Sequence, residues 1–269
     1  PRRYLELAEI EAKVMDEEGE ELKSWWKDFL RDGNAIEFEE CRESMNTQGR
    51  EEITVQKKLF DLKEFAKDTN LSNFEIVQGL FALWASKYFQ LENLIIAGPY
   101  SLRNTFNFGS TFGYFINQAL YKYKKKEFEK FSVMEYLHQN SQMVRQCQLH
   151  SKYPYPKINA LYPEKKWDNL TFAWLSHSTQ HFGQFVVSAK TPVAFGALVL
   201  ESGILELSIL FREQQFTKNS IVRMLESFGV FLSKLDQKRS MVSVKKILFR
   251  NEQEEEWNMT YKEVEGKKL

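Results

Sequence analysis

Cysteine is scarce. The 269 residues hold two, Cys41 and Cys147, with no C-x-x-C pair, which excludes a disulfide framework and points to a reduced, cytoplasmic setting. Histidine is nearly as rare at four, and none forms the H-x-x-x-H or H-E-x-x-H spacing that sets metal ligands on one helix face. His177 and His181 are four apart but flank a turn between strands, with no cysteine or paired carboxylate near them, so no metal centre is expected. Neither sign of charge is in excess, because 37 basic residues balance 37 acidic ones. That leaves no electrostatic reason to expect nucleic acid or an acidic membrane as partner. No apolar run approaches the ~20 residues needed to span a bilayer. The G-x-S-x-G elbow, the phosphate-binding Walker loop and the dinucleotide G-x-G-x-x-G are all missing, so the chain carries no nucleophile or phosphate site by its own motifs. There is also no internal repeat and no low-complexity segment. An initiator Met and an apolar leader are lacking too. Pro1-Arg2-Arg3 runs straight into a charged amphipathic stretch, which reads as a cut inside a longer polypeptide or a processed N-terminus.

What is present is a foldable chain, 43% hydrophobic and 14% aromatic. That is too apolar to stay disordered and long enough for one large domain or two small ones. Leu5, Ala8, Ile10 and Val14 follow helical spacing, and Leu22, Trp25, Trp26, Phe29 and Leu30 predict a second helix that stops at Asp32-Gly33. Residues 34–50 read as a loop, and the alternation of Ile53 and Val55, reaching toward Lys57 and Leu59, reads as a strand. Asp61 is placed to cap a short helix through Phe65. Ser72 with Glu75 three residues on makes a capping box before a helix carrying Phe74, Val77, Leu80, Phe81, Trp84 and Tyr88, an apolar stripe that belongs in a core.

Leu94 to Ala97 reads as a buried strand ending at Gly98-Pro99, and Phe112 to Tyr123 as another. Lys124-Lys125-Lys126 ends that strand in solvent. Ser132 to Leu149 reads as a helix, stopped by Tyr153-Pro154-Tyr155-Pro156, which is expected to be non-helical. Runs 170–176, 183–189, 193–200 and 204–211 read as strands, and Thr217 caps a last helix with Ile221, Leu225, Phe228, Phe231 and Leu232. Helices and strands interleave without a regular βαβ repeat, which predicts an α+β fold with a mixed sheet.

Six segments in order resemble the condensation domains of nonribosomal peptide synthetases. Tyr4-Leu5-Glu6-Leu7-Ala8 is similar to the family's Tyr-x-Asp-Tyr-Ala-x-Trp, with Glu6 for Asp and no closing Trp. Ser24 to Leu30 resembles Tyr-Trp-x-x-x-Leu. Ile95-Ile96-Ala97-Gly98-Pro99-Tyr100-Ser101-Leu102-Arg103 resembles V-V-G-T-P-V-S-G-R, with Ala97 for the first glycine. Phe112-Gly113-Tyr114-Phe115-Ile116-Asn117-Gln118 matches I-G-x-F-V-N-T with Gly, Phe and Asn in register. His150-Ser151-Lys152-Tyr153-Pro154-Tyr155-Pro156 is similar to H-Q-D-Y-P-F-E. Glu252 to Thr260, ending Trp257-Asn258-Met259-Thr260, resembles the W-N-x-T that closes a condensation domain before an adenylation domain. The family's R-D-x-S-R-N-P-L segment is matched only loosely, around Trp167 to Leu170. The catalytic H-H-x-x-x-D-G is absent.

The resemblance implies a single chloramphenicol acetyltransferase-like lobe, the C-terminal one, over residues 1–250, with 251–269 as an exit linker toward an adenylation-type domain. Its implied partners are the N-terminal lobe of the same domain, donor and acceptor carrier proteins that present thioesters on phosphopantetheine arms, and the adenylation domain. Its implied role is a tunnel wall and docking surface for amide formation, where tethering both reactants supplies much of the gain. Other chemistries on the same scaffold, epimerisation, heterocyclisation or ester formation, stay open, as does a non-catalytic carrier-docking lobe. Ser101, Gly113, Phe115 and Asn117 would lie near the tunnel. Gly113 would permit close backbone approach, while two roles are open for Asn117: bonding a pantetheine amide or holding a strand end. Arg103 would anchor the floor between lobes or make a local pair. His150 is placed to cap a helix end, and Tyr153 to pack around the prolines. No residue of this chain is assigned catalysis.

Overall fold

The computed structural model describes residues 4–38, 50–56, 62–67, 69–175, 191–200, 205–235 and 243–244. Helix α1 (Glu6–Leu30) opens the chain with Glu6 and Glu9 in its first turn, where acids suit the helix dipole. One helix replaces the two expected. The acidic stretch between Val14 and Leu22 contains no proline, and Gly19 alone costs only about 1 kcal/mol against alanine, too little to stop a helix anchored at both ends. Leu7, Leu22, Trp26 and Leu30 are its buried positions. Strand β1 (Arg50–Gln56) and the short α2 (Leu62–Ala66) follow; residues 57–61 and 39–49 fall outside the described residues.

Helix α3 (Asn73–Tyr88) begins at the capping box that the sequence shows. The Glu75 N–H donates to Ser72 Oγ, and the Ser72 N–H donates back to Glu75 Oε2. The same Ser-x-x-Glu device, Ser132 with Glu135, starts α5 (Val133–His150). Strand β2 (Asn93–Ser101) runs past the expected stop, through Gly98 and Pro99, because Pro99 sits opposite Gln118 in a continuous antiparallel ladder with β3 (Ile116–Lys124). Strand β3 starts four residues later than expected, and Phe112 to Phe115 belong to the preceding loop. Lys125–Phe128 forms a one-turn α4. The segment expected to be non-helical turns at once into α6 (Tyr155–Asn159), with Pro154 as its N-cap and Pro156 in its first turn, where the missing N–H has no helical partner to lose. Strands β4 (Leu170–Trp174), β5 (Val193–Val199) and β6 (Leu205–Arg212) precede α7 (Lys218–Ser233), capped by Thr217. The expected strand at 183–189, His177, His181, Cys41 and the 251–269 tail lie outside the described residues.

The strands form one six-stranded mixed sheet, ordered β1-β6-β5-β4-β2-β3. Pairs β2–β4 and β4–β5 are parallel and the rest antiparallel, so the fold is α+β with a mixed sheet flanked by helices. Leu94 and Ile96 of β2 enter one core cluster with Phe81 and Trp84 of α3, Tyr136 and Leu137 of α5, and Phe228 of α7. Their neighbours Ile95 and Ala97 enter another with Leu22, Trp26 and Leu30 of α1. Alternation along a strand therefore puts α1 on the opposite sheet face. Each fully buried large side chain in these clusters contributes roughly 1.5–3 kcal/mol. Among the described residues no helix is long and apolar enough to cross a membrane.

Candidate functional site

The β2–β3 hairpin builds the site. Its register sets Tyr100 opposite Asn117 and Ser101 opposite Ile116, and the Leu102 N–H donates to the Phe115 carbonyl at 2.7 Å. That bond closes a compact loop over 102–115. Leu102, Phe106, Phe108 and Phe115 give the loop a small core of its own, seated on Leu7, Ile10 and Val14 of α1. Loops of this length that fill their own interior behave as rigid units.

Arg103 is the centre of the loop. Its guanidinium lies 4.4 Å from the Phe115 ring centroid, the distance of a cation–π contact. Its N–H groups meet main-chain carbonyls: Phe108 at 3.5 Å, Gly109 at 3.4 Å, Gly113 at 3.3 Å, and Thr111. Its charge therefore serves main-chain carbonyls of the loop. Ser101 ends β2, exposed, and its Oγ accepts the Arg103 N–H at 3.4 Å.

Gly113 is covered by Tyr4. A Cβ built there would have three Tyr4 ring carbons within 2.8 Å, so only glycine fits beneath the ring. The close approach expected of Gly113 is made by a side chain of this same chain. Tyr4 also meets Phe115 edge-on at 5.3 Å between ring centroids and donates its hydroxyl to the Tyr114 carbonyl at 3.1 Å. Around this packed centre the apolar side chains of Phe112, Tyr114 and Ile116 face solvent, Phe112 at 99% exposure.

One turn of chain away, Asn117 holds a second group together. Its Nδ2 donates to the Ser151 carbonyl at 2.8 Å and the Tyr153 carbonyl at 3.0 Å, and its Oδ1 accepts the Tyr155 N–H at 3.1 Å. Both amide hydrogens are thus occupied by the turn after α5. His150 closes α5: its Nδ1 lies 2.8 Å from the Gln146 carbonyl, and its own carbonyl accepts the Trp26 indole N–H at 3.0 Å. The imidazole stacks on Trp25 at 3.8 Å, and Phe29 stacks on the same indole at 4.7 Å. Tyr153 is buried, its N–H donating to the His150 carbonyl, and burial raises its phenol above the ordinary value. Cys147, in the same cluster, is a buried thiol pushed well up by desolvation, the opposite of an activated nucleophile.

Ser101, Arg103, Gly113 and Phe115 therefore share the loop, while Asn117, His150 and Tyr153 share the turn. The start of β3 joins the two groups. Sequence reasoning missed Phe106 and Phe108, because loop residues without periodicity give no sign of a private core. It also missed the Trp25–His150 stack, whose partners are 125 positions apart. Among the described residues no three His, Cys, Asp or Glu side chains are placed to hold a metal ion. The site is a shaped surface of packed aromatics and held carbonyls.

Comparison with known proteins places the chain in a family. No curated protein matches the chain. Among solved structures, 89% of the chain superposes on holo-AB3403, a four-domain nonribosomal peptide synthetase bound to AMP and glycine, with a TM-score of 0.74 at 14% identity, covering 21% of that chain. It also superposes on VibH, a condensation enzyme, over 90% of this chain and 62% of that one (TM-score 0.67, 17% identity). A third similar structure is SgcC5 from Streptomyces globisporus, matched over 87% of this chain and 59% of that one (TM-score 0.68, 15% identity). The chain thus spans less than two thirds of the length of these proteins. The Condensation domain family matches residues 1–256, nearly the full length, and the chain belongs to the condensation domain family.

Proposed function

We propose that this chain is the C-terminal lobe of an amide-forming condensation domain in a nonribosomal peptide synthetase. The observation that carries the reading is one of extent. Nearly all of this chain, 90%, lies on VibH yet fills 62% of it, so VibH has a further portion with no counterpart here, and the resemblance puts H-H-x-x-x-D-G in a lobe ahead of the Tyr4 segment. In this reading the lobe supplies one wall of the tunnel in which a carrier-bound amine attacks a carrier-bound thioester. The N-terminal lobe supplies the histidines, and general-base help from them adds roughly 10²–10⁴-fold. The partners are that lobe, donor and acceptor carrier proteins with their phosphopantetheine arms, and an adenylation domain beyond residue 250. The setting is cytoplasmic.

The wall itself is the loop 102–115 with the start of β3. Ser101 and the exposed side chains around Gly113 and Phe115 face outward from it, while Arg103, His150 and Tyr153 hold it in shape. Asn117 acts on the wall through the turn it clamps. The exposed apolar tip formed by Phe112, Tyr114 and Ile116 suits the seat of the N-terminal lobe, since a cluster of this kind on a charged, neutral-net-charge surface marks an interaction site.

The test joins the chain to its upstream polypeptide and assays amide formation between two loaded carrier proteins. Turnover is expected from the joined domain and none from residues 1–269 alone. Turnover by this chain alone overturns the reading. A joined domain that carries the histidines and still makes no amide moves the assignment to a scaffold lobe or to epimerisation or heterocyclisation.

A further inference from the structure

We propose that Tyr4 is a positioning residue, which transmits the placement of whatever polypeptide precedes it to the 102–115 loop. It rests on the reading above only in supposing that a lobe joins ahead of Tyr4. Three contacts within four residues carry it. The ring lies on Gly113 so closely that a methyl group cannot be inserted. The ring edge meets Phe115. The hydroxyl donates to the Tyr114 carbonyl. Phe115 is itself fixed by Arg103 and by Phe108 at 4.8 Å, and Arg103 reaches carbonyls from Phe108 to Gly113. A displacement of Tyr4 is therefore passed first to 113–115, then through one guanidinium to the rest of the loop. Its effect at the surface is on Phe112 and Tyr114, the exposed tip. Packed side chains move between discrete arrangements more readily than they deform, so a displaced Tyr4 would leave its seat on Gly113 rather than shift by degrees.

The contact makes sense of two residue choices that are otherwise unrelated. An aromatic at position 4 is 42% exposed and contributes little to the main core, and glycine at 113 answers both the ring above it and its own φ of +157°. The two residues meet although they stand 109 positions apart in sequence.

The experiment measures amide hydrogen exchange in this chain by itself, with no assay of amide formation, so its failure is separate from failure of the functional reading. The reporters are the loop amides of Leu102, Phe106, Phe108 and Thr111, each bonded within the loop; amides of α3 report whether a variant stays folded. Tyr4→Ala is expected to speed the reporters about ten-fold or more while α3 stays protected, as local opening without global unfolding does. Tyr4→Phe, which keeps the ring, is expected to stay close to the parent. Gly113→Ala is expected to speed the same reporters, in part through backbone strain at its φ of +157° whatever stands at position 4, and the double variant Tyr4→Ala with Gly113→Ala to show less than the product of the two single effects, because the clash with the ring is gone and only the strain remains. Unchanged reporters in Tyr4→Ala, or multiplying effects in the double variant, overturn the proposal. If Tyr4→Ala unfolds α3 as well, Tyr4→Leu decides it, since it keeps an apolar side chain without the ring or the hydroxyl: reporter exchange equal to the parent overturns the proposal, and faster exchange with α3 still protected supports it.

Discussion

Asn117 aims both amide hydrogens at carbonyls of the 151–153 turn and takes the Tyr155 N–H on its oxygen. Three backbone groups of one tight turn thus depend on one side chain. A net bond of this kind contributes about 1 kcal/mol, and leaving a part-buried carbonyl unmatched costs more. Asn117→Ala is therefore expected to lower the stability of the chain by about 2–3 kcal/mol, read as a shift of the urea midpoint with the slope unchanged. A loss below about 0.5 kcal/mol, the scatter of neutral surface changes, would show that water replaces the side chain. Asparagine is the one residue that fills this position, since it offers two donors and an acceptor from a short stem. The residue type was legible in the sequence as part of Phe112 to Gln118. The turn that it clamps was not, because its partners sit 34 to 38 positions downstream and no local spacing reveals them.

At the scale of elements, the legible parts were those that fix their own ends. Two of the long helices, α3 and α5, announce themselves by Ser72-x-x-Glu75 and Ser132-x-x-Glu135, where the cap is made within four residues. Bounds that depend on a distant partner were misread: β2 continues through Pro99 because β3 pairs with it, and α1 stays unbroken because its two ends are each packed. The end of α1 shows such dependence in energetic form. Lys122 of β3 is buried, with its side chain 4% exposed, and it donates to the Phe29 carbonyl and to Asp32 Oδ1 at 2.7 Å. It thereby ties the last turn of α1 to the sheet edge. The Lys122 bond holds the Asp32 carboxyl below its ordinary value, against a smaller opposing effect of burial. A carboxyl lowered in the folded state adds stability that is present above the unfolded pKa, about 3.9, and lost as pH falls through the folded value. Lys122→Ala should cost about 1–3 kcal/mol near neutrality, mostly from the stranded Phe29 carbonyl. The gap between parent and variant should narrow as pH drops from 6 to 3. Urea midpoints at those two pH values test it, and a gap that is constant or widens in acid would assign the tie to packing alone.

For the whole molecule, the sheet and its helices bury their apolar faces thoroughly, so the remaining exposed apolar side chains stand out by position. Of the large hydrophobic side chains left in solvent among the described residues, Tyr4, Phe112, Tyr114 and Ile116 gather where the 102–115 loop meets the start of α1. The loop beneath them is stiffened by Arg103 and its aromatic core, so the tip is presented already ordered, and a partner that covers it loses little conformational entropy on binding. Phe112 is the natural anchor, as an aromatic at 99% exposure contributes nothing to the fold and a great deal to an interface once it enters a partner's pocket. Phe112→Asp is therefore expected to leave the urea midpoint of this chain within the range of about 0.5 kcal/mol that typifies neutral surface changes. Binding of the same variant to a separately produced upstream lobe should weaken by about ten-fold or more, since an aromatic anchor is worth at least ~2 kcal/mol. Titration calorimetry on the two lobes reads the second quantity. Equal binding by parent and variant would remove the tip from the proposed lobe interface. A destabilised variant would instead mean that Phe112 is covered within the chain itself.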